Sequence, residues 1–315
     1  MTGKTAFIFP GQGSQYSGMG KEVYDAFSSA REAFVQADDA LGFSLSKLCF
    51  RGTEENLRLT WNTQPAILTV SVAILRALRD RGFYPNFVAG HSLGEYSALV
   101  CAGSLELPDA VRLVRKRGQY MQEAVPVGKG AMAAVLGLEP ALVVEACAEA
   151  SDIGIVSPAN MNSADQTVIA GEAEAVRAAC ENAKRKGAKR VLPLSVSAPF
   201  HCELMAPARD RLAKDIHSLH FNNLSVPLVT NVDAVAIEDG ASAQDALIRQ
   251  VCSPVRWMES VQYLTTAGVD TFIEIGPGKV LCGLVKKIAP HARAFGVEGI
   301  KSMEALASAI SNATM

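Results

Sequence analysis

The segment Gly90-His91-Ser92-Leu93-Gly94 restricts the fold of this chain more than any other. An apolar run, Phe87-Val88-Ala89, leads into it, and a helix-favouring stretch, Glu95-Tyr96-Ser97-Ala98-Leu99-Val100, leads out. The Gly-x-Ser-x-Gly pattern therefore falls at a strand-to-helix turn, the setting a nucleophile elbow requires. Glycines flank the serine because the turn strains its backbone and brings neighbouring main chain too close for side chains. Ser92 would stand at the start of a helix, where the Leu93 N–H and the positive end of the helix dipole can meet a developing oxyanion.

The chain around the elbow alternates short apolar runs with amphipathic stretches. A strand is expected over 5–9, then the glycine-rich Gly11-Gln12-Gly13-Ser14-Gln15, then helices over about 21–40, 63–81 and 108–123. Such alternation predicts a mainly parallel sheet covered by helices, with the active site at the carboxyl ends of its strands. Residues 128–198 change character. Strands are expected over 131–138, 153–161, 166–171 and 190–196, helices over 140–150 and 172–186, and a turn at Asn162-Ser163-Ala164-Asp165. That order is βαββαβ, the ferredoxin-like unit. The domain reading is a small ferredoxin-like domain, 128–198, inserted into a large α/β domain made of 1–127 and 199–315. The large domain resumes with helices over 203–216, 243–251, 255–267 and 302–310. Its strands are expected over 226–230, 271–275 and 294–297. A cleft between the two domains is the expected substrate site.

Composition excludes several classes. Of 315 residues, 49% are hydrophobic and 20% charged, which suits a sizeable core rather than disorder. A net charge of −2 gives no general attraction to nucleic acid or anionic membrane. The seven cysteines are scattered without paired spacing. They read as reduced core residues of a cytoplasmic protein, with no disulfide frame and no metal site. No segment reads as a signal peptide or a bilayer span.

A serine hydroxyl needs a base, and five histidines are available. His91 adjoins the serine, and neighbouring elbow side chains diverge. His217 and His220 lie in a polar helix-end stretch. His201 follows the last strand of the inserted unit, where the chain re-enters the large domain. His291 lies beside Lys286, Lys287 and Arg293, whose charges disfavour an imidazolium. Spacing does not separate His201 from His291; the α/β-hydrolase order, with the histidine last, favours His291, its basic flanks argue against it, and local context favours His201. On the helix around 113–121, positions 110, 113, 114, 117 and 121 share one face, so Arg117 interrupts a stripe of Ala110, Leu113, Val114 and Met121. A buried guanidinium needs an anionic partner, either an internal carboxylate or a substrate carboxylate held bidentately. Gly11-Gln12-Gly13 fails as a dinucleotide fingerprint because Tyr16 stands where its third glycine belongs. The loop is either a plain turn or the source of a second oxyanion donor, the Gln12 N–H. Gly276-Pro277-Gly278-Lys279 lacks phosphate-loop spacing and reads as a tight strand-to-helix turn.

Taken together, six motifs resemble the malonyl-CoA:acyl carrier protein transacylases in identity and order. They are Phe9-Pro10-Gly11-Gln12-Gly13-Ser14-Gln15, Gly90-His91-Ser92-Leu93-Gly94-Glu95, Arg117-Gly118 with Met121, Asn160-Met161-Asn162, Ala198-Pro199-Phe200-His201, and Glu274-Ile275-Gly276-Pro277-Gly278. The resemblance spans about residues 5–312. It implies a hydrolase-like α/β domain with a ferredoxin-like insertion. It implies Ser92 as acylated nucleophile, His201 as base, Gln12 and Leu93 as oxyanion donors, and Arg117 as partner of the malonyl carboxylate. It also implies that a main-chain carbonyl, at Gln250, orients the histidine, and that Met121, Asn162 and Phe200 belong to the substrate pocket, Phe200 fitting the malonyl-selective pattern. The implied reaction moves malonyl from malonyl-CoA to the phosphopantetheine thiol of acyl carrier protein, through a malonyl-serine ester and with no permanently bound cofactor. The carrier is acidic in this family, so a basic docking surface is expected; the densest basic run, Lys184-Arg185-Lys186-Gly187-Ala188-Lys189-Arg190, is either that surface or a solvated helix end whose cations suit the helix dipole. Two other readings use the same residues. A serine hydrolase or thioesterase shares the Ser–His pair and admits water, and a non-catalytic acyl-CoA or carrier-protein binding module needs no nucleophile.

Overall fold

A computed structural model describes residues 3–194 and 198–314. Two sheets organise the chain. The larger has six strands in the order β10-β9-β1-β2-β7-β8, where β1 is Lys4–Phe9, β2 Phe87–Gly90, β7 Leu228–Val229, β8 Ala236–Ile237, β9 Val269–Ile275 and β10 Arg293–Val297. Five run parallel and β8 pairs antiparallel on β7, so the sheet is mixed. The central strands β1 and β9 are almost wholly buried, as expected of parallel strands covered by helices on both faces. The smaller sheet is antiparallel, in the order β4-β5-β3-β6, with β3 at Gly130–Leu136, β4 at Val156–Ser163, β5 at Gln166–Glu172 and β6 at Arg190–Pro193. Helices Pro140–Ala148 and Ala173–Arg185 pack on it around Val135, Val143, Ile169 and Val176.

The two sheets meet through β4. Met161 N donates to Val255 O at 2.8 Å and Val255 N to Ala159 O at 2.8 Å, which sets the β4 edge against the large sheet's side of the molecule. The ion pair Lys287–Asp165 adds a second link at 3.1 Å.

Several boundaries differ from the sequence reading, for physical reasons. The helix expected over 21–40 is two, Lys21–Ala26 and Ser28–Leu41, because Phe27 is extended (φ −122°, ψ 126°) and its ring packs beneath Arg81. Two short helices, Leu45–Arg51 and Glu54–Arg58, were not anticipated. Ser44 and Thr53 cap them by accepting the N–H groups of Lys47 and Asn56, and those hydroxyls were the available signal. β4 starts later than expected and runs on to Ser163, leaving only Ala164-Asp165 as the hairpin turn. Asn162 is thereby a strand residue. β8 follows β7 through a turn in which Ala234 takes φ 55°. The end of the strand expected over 190–196 lies outside the described residues.

The helices Thr60–Arg79 and Leu107–Glu123 position two polar groups for the site, and they cross closely. A Cβ on Gly118 would stand 2.7 Å from both Thr60 O and Trp61 Cα. Pro65, inside the first of these helices, cannot donate to Trp61 O, and Arg115 Nη1 meets that carbonyl at 3.4 Å instead. We expect Gly118→Ala to be less stable than wild type in urea unfolding. Overpacking costs about 1–3 kcal/mol, here against main chain that cannot rotate away, and outweighs the roughly 1 kcal/mol of helix propensity that alanine adds. Unchanged stability would mean that the crossing is looser than described.

Candidate active site

The elbow forms where β2 gives way to the helix Gly94–Cys101. Ser92 sits in the left-handed region at φ 51°, the strained conformation foreseen for it. The flanking glycines are obligatory on contact grounds. A Cβ on Gly90 would lie 1.9 Å from Gly94 C, and one on Gly94 would lie 2.0 Å from Phe9 O.

The strained serine is held from below. Its N–H donates to Asn231 Oδ1 at 2.7 Å, and Asn231 Nδ2 donates to Gly90 O at 2.6 Å, so one amide grips both arms of the elbow. Gln250 Nε2 donates to Ser92 O at 3.1 Å and to Glu95 Oε2 at 2.8 Å. Sequence reasoning missed Asn231. A buried polar residue one position past an apolar strand, at the carboxyl edge of a parallel sheet, was the signal that could have found it.

Ser92 Oγ lies 2.7 Å from His201 Nε2. His201 Nδ1 is 3.0 Å from Gln250 O. Only a protonated Nδ1 can bond a carbonyl, so this contact fixes the tautomer and turns the Nε2 lone pair to the serine. His201 is buried and also left-handed, at φ 61°. Burial first, and then the charge of Arg117, push its pKa down to about 3, so the ring is neutral around pH 7. Of the other histidines, His217, His220 and His291 are exposed, while His91 lines the same cavity and has its Nε2 bonded to Asn162 Oδ1 at 2.9 Å.

Arg117 is buried on the predicted face together with Ala110, Leu113, Val114 and Met121. Its Nη1 donates to Gln64 Oε1 at 2.9 Å, and its Nη2 to Gln250 Oε1 at 2.9 Å and Ser92 Oγ at 3.1 Å. The guanidinium lies over Tyr96, 5.4 Å from the ring centroid. Every one of these partners is neutral, and among the described residues Arg117 belongs to no ion pair. Of the two alternatives the sequence left open, the internal carboxylate in contact is therefore absent among the described residues.

A cavity of about 130 Å³ opens over these groups, lined by Gln12, Ser92, Leu93, Arg117, Met121, Phe200 and His201, with Gln64, His91, Met132, Asn160 and Leu194. The main-chain N–H groups of Gln12 and Leu93 take part in no hydrogen bond among the described residues. Gly11 holds the first loop onto the elbow, since a Cβ there would meet His91 O at 2.5 Å. Asn162 does not itself line this cavity; it bonds His91, which does, and Asn160 on the same strand lines the wall. The Glu274 motif is a cap: its carboxylate accepts the Leu281 and Cys282 N–H groups at 3.1 and 2.7 Å, fixing the turn through Gly276 to Gly278. Among the described residues, no cluster of His, Cys, Asp or Glu could hold a metal ion, and no helix is long and apolar enough to cross a membrane.

A serine hydroxyl bonded to an imidazole nitrogen and to a buried guanidinium, at the floor of a cavity, is the arrangement expected of an enzyme with a serine nucleophile. Comparison with known proteins agrees. The acyl transferase domain family matches residues 6–314. The malonyl CoA-acyl carrier protein transacylase of Escherichia coli is 50% identical over 301 residues, covering 95% of this chain and 97% of that protein. An acyl carrier protein S-malonyltransferase of Vibrio cholerae superposes with a TM-score of 0.94 at 48% identity, over 96% of this chain and 99% of that one. A malonyl-transacylase solved in complex with its holo type II PKS acyl-carrier protein gives a TM-score of 0.93 at 47% identity, over 96% of this chain and 98% of that one. The chain belongs to the acyl transferase family, among the malonyl CoA-acyl carrier protein transacylases.

The neutrality of His201 makes a testable statement about acid stability. Its folded pKa, about 3, lies below the ordinary value of about 6.5, so between those limits the unfolded chain binds the extra proton. Stability is therefore lost as pH falls from about 6.5 towards 3, by up to about 1.4 kcal/mol per pH unit from this group. Urea unfolding of wild type and His201→Asn across that range should give a difference that shrinks on acidification. A constant difference would mean that His201 is not held neutral by the fold.

Proposed function

We propose that the chain transfers malonyl from malonyl-CoA to the phosphopantetheine thiol of acyl carrier protein by a ping-pong reaction through Ser92. The observation that carries the reading is Arg117, a buried guanidinium with neutral partners that reaches the nucleophile. The malonyl carboxylate supplies the anion that the fold does not place in contact.

In the first half-reaction the Ser92 proton passes to His201 Nε2 while Oγ attacks the thioester carbon. The Gln12 and Leu93 N–H groups hold the oxyanion. The C–S bond breaks, the coenzyme A sulfur takes the proton from His201, and malonyl remains as a serine ester. In the second, the carrier thiol gives its proton to His201 and its sulfur attacks the ester, and Ser92 recovers the proton as it leaves. Burial and Arg117 keep His201 neutral between the two half-reactions, the form that can accept a proton from Ser92 or from the carrier thiol. The Gln250 carbonyl orients the ring, and Met121 and Phe200 shape the pocket around the acyl group, with Asn162 supporting His91.

We assign residues 128–198 to a ferredoxin-like small domain inserted into a hydrolase-like large domain of residues 1–127 and 199–315. Strand order β4-β5-β3-β6 and the sequence βαββαβ support the first assignment. The strand–elbow–helix at the carboxyl edge of a mainly parallel sheet supports the second. The reaction as written needs no resident cofactor and no metal, and free cysteines agree with a cytoplasmic setting.

Hydrolase activity would employ the same Ser–His pair, but Arg117 favours a carboxylated acyl group over the neutral acyl groups a general thioesterase takes. Intact mass after brief exposure to malonyl-CoA, then to phosphopantetheinylated carrier protein, tests the assignment. The wild type should gain a malonyl adduct that survives in water and moves to the carrier, and Ser92→Ala should gain none. Rapid loss to water would make the chain a hydrolase; no adduct would leave a binding module or a different acyl donor. Arg117→Ala should lower malonyl-CoA kcat/KM by about 2–4 kcal/mol while favouring neutral acyl groups. An unchanged malonyl preference would remove Arg117 from the role.

Carrier docking is narrower than the basic run suggested. Lys184 is paired with Glu181 and Lys186 with both Glu145 and Glu149, while Arg185 donates to Asn182. Lys189 and Arg190 have no acidic partner among the described residues. Lys189→Glu should therefore raise the KM for carrier protein more than Lys186→Glu does, with malonyl-CoA kinetics unchanged in both. Equal effects on the two substrates would exclude this surface.

A further inference from the structure

Glu95 is a buried carboxylate that the reaction above does not use. It lies in the first turn of the elbow helix, wholly inaccessible, and no ion pair includes it among the described residues. Its Oε2 accepts two N–H groups, Asn231 N at 3.1 Å and Gln250 Nε2 at 2.8 Å, and its Oε1 has no hydrogen-bond partner. A proton on Oε2 would face two donors, and a proton on Oε1 would meet no acceptor. The two donors on Oε2 favour the ionised form, and burial with an Oε1 left without a donor opposes it.

One residue separates this anion from the lone cation of the site. The Gln250 amide turns its NH2 to Glu95 and its oxygen to Arg117 Nη2, at 2.8 and 2.9 Å. The reverse orientation would set oxygen against carboxylate and NH2 against guanidinium, so the two charges fix the amide between them. Its dipole then runs from carboxylate to guanidinium in the favourable sense. Two buried charges that touch no opposite charge directly are thus balanced across a single amide, and the guanidinium remains open towards Ser92.

We infer that Glu95 is the counter-charge of Arg117 and sets how tightly the site holds a substrate carboxylate. This inference rests on the malonyl reading of Arg117. An incoming carboxylate meets a cation already partly neutralised, which keeps the acyl group from being bound more firmly than transfer requires, because grip common to ground and transition states lowers KM without raising kcat. Burial raises the Glu95 carboxyl to about 7, against the pull of its two N–H donors and Arg117, and Asp233 adds to the upward push. Measurements at pH 8 therefore address the charged form.

Glu95→Gln keeps the shape and the acceptor for Asn231 and Gln250 and removes the charge. At pH 8 the KM for malonyl-CoA in acylation should fall by about tenfold, the order expected for one unit charge removed at ~10 Å in a protein interior. Acylation by acetyl-CoA, which presents no carboxylate, should change by far less, and Glu95→Asp should return the malonyl KM towards wild type. In the Arg117→Ala background, Glu95→Gln should leave the malonyl-to-acetyl ratio unaltered. A matching loss of kcat with both acyl donors, or an unchanged or higher malonyl KM, would overturn the inference and leave Glu95 as a support of the elbow. Should Glu95→Gln fail to fold, the double variant Arg117→Ala/Glu95→Gln decides. Paired charges require it to be more stable than Glu95→Gln alone, and an equally unfolded double variant would refute the pairing. Wild type that forms no malonyl adduct would refute the malonyl reading instead, while the stability of the three variants would still report on the charge pair.

Discussion

A guanidinium buried without a contacting carboxylate is the interaction on which the site depends. Burying Arg117 costs several kcal/mol unless its N–H groups are met; three neutral oxygens, on Gln64, Gln250 and Ser92, meet Nη1 and Nη2, and Nε is left without a partner. Each comes from a different part of the fold: a long buried helix, a second helix near the C-terminal third, and the elbow. The close crossing at Gly118 brings the first of these to the Arg117 helix. Much of the large sheet's helical cover can be understood as the frame that keeps one cation dry, oriented and incompletely satisfied.

The nucleophile poses the opposite problem, since it needs strain rather than charge. Ser92 and His201 are two of only three non-glycine residues with positive φ among the described residues. Strain of this kind persists only where neighbours over-determine it. Asn231 does so at the elbow, with a side chain bonded on both sides of the serine and a main-chain N–H on Glu95. Strain, charge and base orientation therefore converge on three residues, Glu95, Asn231 and Gln250, beneath the reacting atoms.

Much of this was legible in the sequence because it is local. The elbow is written in five consecutive residues, and the break in an apolar helical stripe exposed Arg117. Local context favours His201 and chain order His291, spacing separates neither, and the structure sets only His201 against Ser92. Asn231 and Gln64 escaped notice because a buried amide leaves no periodicity and no charge anomaly. Asn162 was assigned to a turn because polar, turn-forming residues cluster there, whereas pairing of Ser163 with Gln166 extends the strand through it. The split at Phe27 reflects ring packing against Arg81, which no helix propensity encodes. Lys186 looked free in sequence and is engaged by acids on a different helix.

Gln250 serves the site twice, with its carbonyl on His201 and its side chain on Arg117. The carbonyl is main chain, so no substitution at position 250 can delete the group that aims the base. Evolution can alter the amide and so the acyl preference, yet every such change is made on the same short stretch of helix that holds the imidazole. Orientation of the ring is thereby buffered against mutation at position 250, while the amide's contacts with Arg117, Glu95 and Ser92 O are not. Variants that accept new acyl groups are better sought from Gln64, which touches Arg117 from the opposite side and has no part in holding the histidine.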